Sequence, residues 1–185
     1  MSNKRIYTFL ADGFEEIEAI TPTDIWKRIG FKVITVGVNG KQVKGAHDIT
    51  ITADIEIDEV TPESADAIFL PGGMPGSVNL RDNDKVIEII QKVYSDNKIV
   101  SAICAAPIAL AKAGILENKK YTCYPSFEKE INEELYTNNM VEVTENIVTG
   151  KGPGAAFEFA ETVASQLQPN NPKINEVLKG MLIKE

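Results

Sequence analysis

The sequence predicts an α/β fold in which helices cover both faces of a mainly parallel β-sheet, with a small antiparallel flap beside it. Three observations support this prediction. Short apolar runs rich in β-branched residues alternate with segments of helical period, which is the pattern of consecutive βα units. The clearest runs are apolar at nearly every position, as expected of strands buried on both faces. The helical segments repeat their apolar residues at every third or fourth position.

Four runs predict the central strands, at residues 6–10, 33–38, 67–70 and 99–103. After the second run, Asn39-Gly40 is typical of a hairpin turn, so the antiparallel flap is expected to follow that strand. In Tyr121-Thr122-Cys123-Tyr124, Cys123 has the setting of an ordinary strand residue. The strands therefore alternate with helices along most of the chain.

Three helical stripes are readable in the sequence. In the first, Val86, Ile90 and Val93 follow Asp84, which is expected to cap the helix. The second has apolar residues at 156, 160, 163, 164 and 167, and it ends before a break that contains Pro169 and Pro172. The third is predicted to pack on the sheet, with a partner subunit as the alternative; it consists of Ile174, Val177, Leu178, Met181 and Leu182.

Length and charge restrict the class of protein. A chain of 185 residues with 43% hydrophobic content can bury one substantial core, so we expect a single domain over residues 1–185. The net charge of −8, without any basic run, argues against binding to nucleic acid or to acidic membrane surfaces. No stretch approaches the roughly 20 apolar residues of a membrane span, and no signal-peptide core is visible. We therefore expect a cytoplasmic protein.

Two cysteines and one histidine limit the available metal and disulfide chemistry. A reducing compartment keeps Cys104 and Cys123 as thiols, so no disulfide is expected. No Cys-x-x-Cys pair is present, and His47 is the only histidine, which leaves too few ligands at the usual spacings for zinc or an iron–sulfur cluster. We expect no metal and no cofactor.

Cys104 lies at the most informative point of the sequence. An apolar strand ends at Ile103, small residues follow, and Pro107 is acceptable in the first turn of a helix. A side chain at such a corner is exposed above the sheet and close to the helix N-terminus, which favours a thiolate. The alternative is a structural cysteine that fills space in the core. The corner favours the functional interpretation, because ligands of parallel sheets bind at the carboxyl ends of the strands.

Two other strand ends lead to the same edge of the sheet. The first predicted strand is followed by several acids within residues 12–18, and the third is followed by Pro71-Gly72-Gly73. Glycines let backbone N–H groups approach a ligand closely. Acids at a helix start are also common partners of the helix dipole, and Pro-Gly-Gly is also a common turn. Neither junction is decisive alone.

Taken together, these junctions resemble those of the ThiJ/PfpI superfamily, and specifically its branch of the Parkinson-associated deglycase, the DJ-one branch. The matching segments occur in family order over nearly the whole chain: ADGFEEIE at 11–18, LPGG at 70–73, AICAAP at 102–107 and GPGAAFEFA at 152–160. The resemblance implies a flavodoxin-like three-layer sandwich, a homodimer and chemistry without a cofactor.

The resemblance also implies roles for individual residues. Cys104 would be the reactive cysteine, and Glu18 would be a protonated acid that hydrogen-bonds the thiolate. Gly73 and Ala105 would supply backbone N–H groups to a developing oxyanion. Gly72 and Arg28 are candidates for the substrate pocket, although an arginine at a helix end is also a common solvated cap.

Two departures from the superfamily concern histidine. Protease-like members have a histidine directly after the nucleophile, where this chain has Ala105, and the DJ-one branch often has a histidine where this chain has Tyr124. His47 matches neither position and is expected to be a surface residue or a contact with a partner. Because a cysteine hydrolase needs a base beside its nucleophile, peptidase or amidase activity is disfavoured.

Three hypotheses for function remain, of which the third is the least favoured. In the first, the protein is an enzyme in which Cys104 adds to small reactive carbonyls such as methylglyoxal, or to glycated amines, while Glu18 moves the proton. In the second, it is a redox sensor or chaperone in which Cys104 is oxidised to a sulfinic acid. A cysteine peptidase or amidase is the third reading.

Overall fold

The computed structural model, which describes residues 4–184, confirms the predicted α/β fold. Two of the predicted strands, 67–70 and 99–103, have the bounds that the sequence indicates. The strands are β1 (Arg5–Leu10), β2 (Lys32–Gly37), β3 (Gln42–Lys44), β4 (Thr50–Thr52), β5 (Ile55–Glu56), β6 (Ala67–Leu70), β7 (Ile99–Ile103), β8 (Val141–Thr144) and β9 (Ile147–Gly150).

The helices alternate with these strands. They are α1 (Glu16–Ile29), α2 (Gly76–Arg81), α3 (Asp84–Ser95), α4 (Pro107–Lys112), α5 (Ala156–Leu167) and α6 (Pro172–Gly180). Within residues 4–184, none of the helices has the length and apolar character needed to cross a bilayer.

Seven strands form the central sheet, in the order β5-β2-β1-β6-β7-β9-β8. Every neighbouring pair is parallel except β8 with β9. The strands β3 and β4 pair antiparallel in a separate sheet, and we call residues 42–52 the flap. Because β1, β6 and β7 are parallel neighbours, the loops that follow them leave the sheet at the same edge.

An apolar cluster covers each face of the sheet. Helices α2, α3 and α4 pack on one face, and α1, α5 and α6 pack on the other. On the second face the Trp26 ring packs edge-on against Phe69, with the centroids 5.3 Å apart. The Trp26 Nε1–H donates to the Ala160 carbonyl at 2.8 Å, so its polar atom is satisfied inside the core. This packing fixes α1, which carries the acids of the first junction.

The predicted flap is present, but its turn lies elsewhere than expected. Asn39-Gly40 links β2 to β3 without pairing them, because β2 is already bonded to β1 on one edge and β5 on the other. The Val38 N–H donates to the Leu10 carbonyl at 2.9 Å and keeps this segment beside β1. The hairpin turn instead occupies residues 46–48, between β3 and β4.

Three smaller expectations were wrong. The cap of α3 is Asn83, whose side chain accepts the Val86 N–H at 3.1 Å, and Asp84 is the first helical residue. Leu182 does not continue the last apolar stripe, because α6 ends at Gly180 and the Leu182 side chain is exposed. Cys123 is not in a strand; it is a buried residue that packs in the core cluster under α4.

Candidate active site

Cys104 occupies a tight corner between β7 and α4. Its N–H donates to the Gly150 carbonyl at 2.8 Å, and its carbonyl accepts the Tyr124 N–H at 2.8 Å. The backbone has φ of 62°, which is uncommon for a residue with a side chain. Pro107 is the first residue of α4, where its missing N–H breaks no helical bond. The corner is therefore held by hydrogen bonds on both sides.

Glu18 lies in the first turn of α1 and is fully buried. Its Oε2 accepts the Gly72 N–H at 2.9 Å. A Cβ on Gly72 would lie 2.5 Å from this oxygen and 3.0 Å from Cys104 Sγ, so the carboxyl and the thiol flank the same small space. Because Gly72 has no side chain, the Glu18 carboxyl can approach Cys104.

Burial controls the acidity of this pair. Burial raises the pKa of Glu18 to about 7, against smaller opposing contributions from Cys104 and the Gly72 N–H. Burial and the charge of Glu18 also raise the pKa of the Cys104 thiol, although the Gly73 and Ala105 N–H groups favour its ionised form. The sequence predicted a thiolate, and the structure instead favours a protonated sulfur while Glu18 is ionised, because the corner is largely desolvated.

The arrangement at neutral pH is a thiol beside a carboxyl group that can take its proton. Among residues 4–184, Glu18 Oε1 is buried and has no hydrogen-bond partner. One oxygen of Glu18 is therefore held in place, and the other can exchange a proton with the sulfur or with a molecule bound there.

The backbone N–H groups of Gly73 and Ala105 lie close enough to the sulfur of Cys104 to favour its ionised form. Gly73 has φ of 92°, and a Cβ there would lie 2.3 Å from the Glu15 nitrogen, so only glycine fits. Two fixed amide donors beside a nucleophile can stabilise negative charge on an oxygen that forms next to it.

Tyr124 takes the place beside Cys104 where a histidine was considered. Its ring is half-exposed and lines an open cavity of about 270 Å³. Pro125, Met140, Lys151 and residues 152–155 form the rest of the lining. This cavity supplies mixed apolar and basic surface next to the corner.

Arg28 does not reach the site. It lies near the C-terminal end of α1, and its separation of ten positions from Glu18 corresponds to about 15 Å of helix. Its Nε is 2.6 Å from Asp24 Oδ2, and its side chain is exposed. Arg28 lines a different cavity, at the opposite edge of the sheet, together with the loop before α6. Within one chain, its placement contradicts a role in the pocket of Cys104.

A second group of ionisable residues lies at the start of α1. His47 Nδ1 is 2.8 Å from Glu16 Oε2 and 3.7 Å from Glu15 Oε1. As expected, His47 is an exposed residue of the flap, in its turn. Nothing in the sequence pattern links it to two acids about 31 residues earlier; only the folding of the flap over α1 brings them together.

Residues 4–166 match the model of the DJ-1/PfpI family. Protein dj-1beta of Drosophila melanogaster is 36% identical over 184 residues, covering 98% of each chain. A Pyrococcus abyssi protein named as a deglycase is 35% identical over 158 residues, covering 84% of this chain and 94% of its own.

Similarity extends to the three-dimensional structure. The crystal structure of Drosophila melanogaster DJ-1beta superposes with a TM-score of 0.93 at 35% sequence identity. The superposition covers 99% of this chain and 100% of the fly protein. The flavodoxin-like arrangement that the motifs implied is therefore the one observed.

Proposed function

The chain belongs to the DJ-1/PfpI family, and we propose that it is a cofactor-independent enzyme whose Cys104 adds to small reactive carbonyls and to the glycated amines derived from them. The family includes a protein named as a deglycase, which supports a role of this type. The observation that carries the proposal is the placement of Cys104 Sγ and the Glu18 carboxyl on either side of Gly72.

The first step is addition of the thiol to the aldehyde carbon of an α-oxoaldehyde. The S–C bond forms, the C=O π electrons move to oxygen, and Glu18 takes the thiol proton. The Gly73 and Ala105 N–H groups would stabilise the oxyanion, a contribution of up to about 3 kcal/mol per donor in well-placed sites. Because the pKa of Glu18 is about 7, the carboxyl can accept a proton and return it near neutral pH.

The remaining steps convert the adduct into a hydroxy acid. Glu18 returns its proton to the oxyanion and then removes the hydrogen of the former aldehyde carbon as a proton, so that the C–H electrons form a C=C bond and the neighbouring carbonyl oxygen becomes an enediolate oxygen. That oxygen takes the hydroxyl proton of the first carbon, and Glu18 returns the removed proton to the second carbon as the C=O bond forms again on the first. This leaves a thioester on Cys104, which water hydrolyses to the 2-hydroxy acid and the free thiol. Methylglyoxal and water thus give lactate, without net oxidation or reduction. From the hemiaminal of a glycated amine, the S–C bond would form as the C–N bond breaks, the amine would leave with the thiol proton, and the resulting hemithioacetal would follow the same steps.

The test is methylglyoxal turnover by the wild type and three variants. We expect no detectable turnover with Cys104→Ser, and a loss in kcat/KM of about 100-fold or more with Glu18→Gln, the usual size of an acid–base contribution. Cys123→Ser is the matched control, because Cys123 is buried in the core, and it should retain turnover within about twofold. Turnover that survives in Cys104→Ser would refute the proposal.

A redox sensor is the second candidate, and the same corner supports it. A protonated Glu18 could donate to an oxygen of a Cys104 sulfinate, as it could to a substrate oxygen. Peroxide would supply the oxygen atoms, and intact-mass measurement would then find the modification on Cys104. Modification at Cys123 alone, or at neither thiol, would exclude the sensor. Either activity needs a reduced thiol, which supports a cytoplasmic location.

We also propose that the protein is a homodimer. The exposed face of α1 carries Ile17 and Ile20, and the flap adds Ile49; about half of each side chain is exposed. An apolar patch of this kind on a charged protein is typical of a protein interface. Light scattering should give the mass of two chains for the wild type and of one for Ile17→Glu. A monomeric wild type would exclude the dimer.

A further inference from the structure

Glu15, Glu16 and His47 form a cluster of potential metal ligands outside the Cys104 corner. One donor atom from each residue lies within 4.8 Å of the other two, and residues 4–184 contain no other group of three such residues. Glu16 is buried, Glu15 is mostly buried, and His47 is exposed. The donor set is therefore fixed on the protein side and open on the solvent side.

The spacing of the donor atoms fits a small transition-metal ion. Zinc bonds of about 2.0–2.1 Å in a tetrahedral site separate neighbouring donors by about 3.3 Å. His47 Nδ1 is 2.8 Å from Glu16 Oε2 and 3.7 Å from Glu15 Oε1, values on either side of that separation. The two carboxylate oxygens lie within 4.8 Å of each other, so one ion could contact all three donors after they move towards it.

The cluster is assembled without any metal. The Glu15 N–H donates to the Gly72 carbonyl at 2.9 Å, which fixes the residue before α1. The His47 N–H donates to Glu16 Oε1 at 2.7 Å, and the Ala46 N–H donates to the Phe14 carbonyl at 2.8 Å. Two of these hydrogen bonds hold the flap turn against the helix start and the third holds Glu15, so an ion would meet donors that are already in position.

The local charge also favours a cation. Two carboxylates face one imidazole, and the nearby Lys44 is already paired with Asp48 at 2.5 Å. The nitrogen ligand and the small number of donors argue against calcium and magnesium, which prefer six or more oxygens or retained water. Imidazole with carboxylates is a donor set that zinc accepts.

We propose that Glu15, Glu16 and His47 bind one divalent transition-metal ion such as Zn²⁺, with water as the fourth ligand. Nδ1 of His47 and one oxygen of each carboxylate would bind the ion, and the proton that Glu16 and His47 share would leave to solvent. This site replaces the expectation from sequence that the chain binds no metal, and it does not depend on the proposed activity of Cys104.

The experiment is titration of the metal-free full-length protein with Zn²⁺ alone, by calorimetry. We expect one ion per chain with a dissociation constant on the order of micromolar, weakened at least about tenfold in His47→Ala and in Glu15→Gln. The matched control is Asp48→Asn, which removes a negative charge from the same turn without removing a ligand, and should bind within about twofold of the wild type. Circular dichroism checks that each variant is folded.

A second arm separates this site from the thiol. Cys104→Ser should bind Zn²⁺ as the wild type does, and bound Co²⁺ should lack the charge-transfer absorption of a thiolate ligand. Loss of binding in Cys104→Ser would overturn the proposal, because the ion would then lie on sulfur. Binding weaker than about 1 mM, or an equal loss in Asp48→Asn and Glu15→Gln, would overturn it as well.

Discussion

Glu18→Gln should change how the stability of the protein depends on pH. The wild-type carboxyl is fully buried, and burial raises its pKa from 4.5 to about 7. The folded state therefore favours the neutral acid more than the unfolded chain does. This contribution to stability is fully present at pH values below the pKa of Glu18 in the unfolded chain. It is lost as the pH rises through the pKa of Glu18 in the folded state. Glutamine has the same shape and cannot ionise, so the variant lacks this loss.

The magnitude follows from the difference between the two pKa values. At about 1.4 kcal/mol for each pKa unit, a rise from 4.5 to about 7 corresponds to about 3 kcal/mol in the free energy of unfolding. Between about pH 5 and pH 8, the wild type should lose about 2–3 kcal/mol relative to Glu18→Gln. The Gly72 N–H can still donate to the glutamine oxygen, so the hydrogen bond at 2.9 Å is retained.

Urea unfolding of both proteins at about pH 5, 6, 7 and 8 measures this difference. Contributions from other titrating groups, including His47, cancel because both proteins contain them. Cys104→Ser keeps the carboxyl and is the control: its stability should fall with pH as that of the wild type does. If the difference in unfolding free energy between the wild type and Glu18→Gln stays constant with pH, the conclusion that Glu18 is a buried acid with a raised pKa is refuted.

Three further predictions concern single contacts. Gly72→Ala places a Cβ 2.5 Å from Glu18 Oε2 and should lower the unfolding free energy by about 1–3 kcal/mol and abolish methylglyoxal turnover; an active, stable variant would show that the corner is loose. Trp26→Phe removes the indole N–H that donates to the Ala160 carbonyl and leaves a small cavity in the core, and urea unfolding should show a loss of about 1–3 kcal/mol, whereas a loss under about 0.5 kcal/mol would contradict this hydrogen bond. Asn83→Ala should cost about 1 kcal/mol by the same assay, and Asn83→Asp, which keeps an acceptor, should restore most of it.

Much of the fold was predictable because strands buried on both faces have an unmistakable pattern. Residues 67–70 and 99–103 are apolar at every position except Ser101, and the structure gives both strands those bounds. The turn at Asn39-Gly40 was misread because hairpin formation depends on which strand edges are free. Strand β1 pairs with one edge of β2, and strand β5 pairs with the other. The residues of the turn itself do not reveal either pairing.

The sequence predicted the position of the candidate site better than it predicted the pKa of the Cys104 thiol. Cys104, Glu18 and Gly72 follow three strands that are neighbours in the sheet, so the topology brings them together. The sequence did not predict that the pKa of this thiol is raised, because the cause is burial, and burial at the corner depends on packing from several elements. The prediction that Arg28 lines the pocket was wrong because Arg28 lies in the last turn of α1, whereas Glu18 lies in the first turn.

The left-handed backbone conformation at residue 104 is set by the path of the main chain and does not depend on the sulfur atom. Any side chain at this position holds a conformation that costs on the order of 1–3 kcal/mol, and only glycine would adopt it freely. Selection for thermal robustness alone would therefore remove the thiol, and the most stable version of this protein would be an inert one.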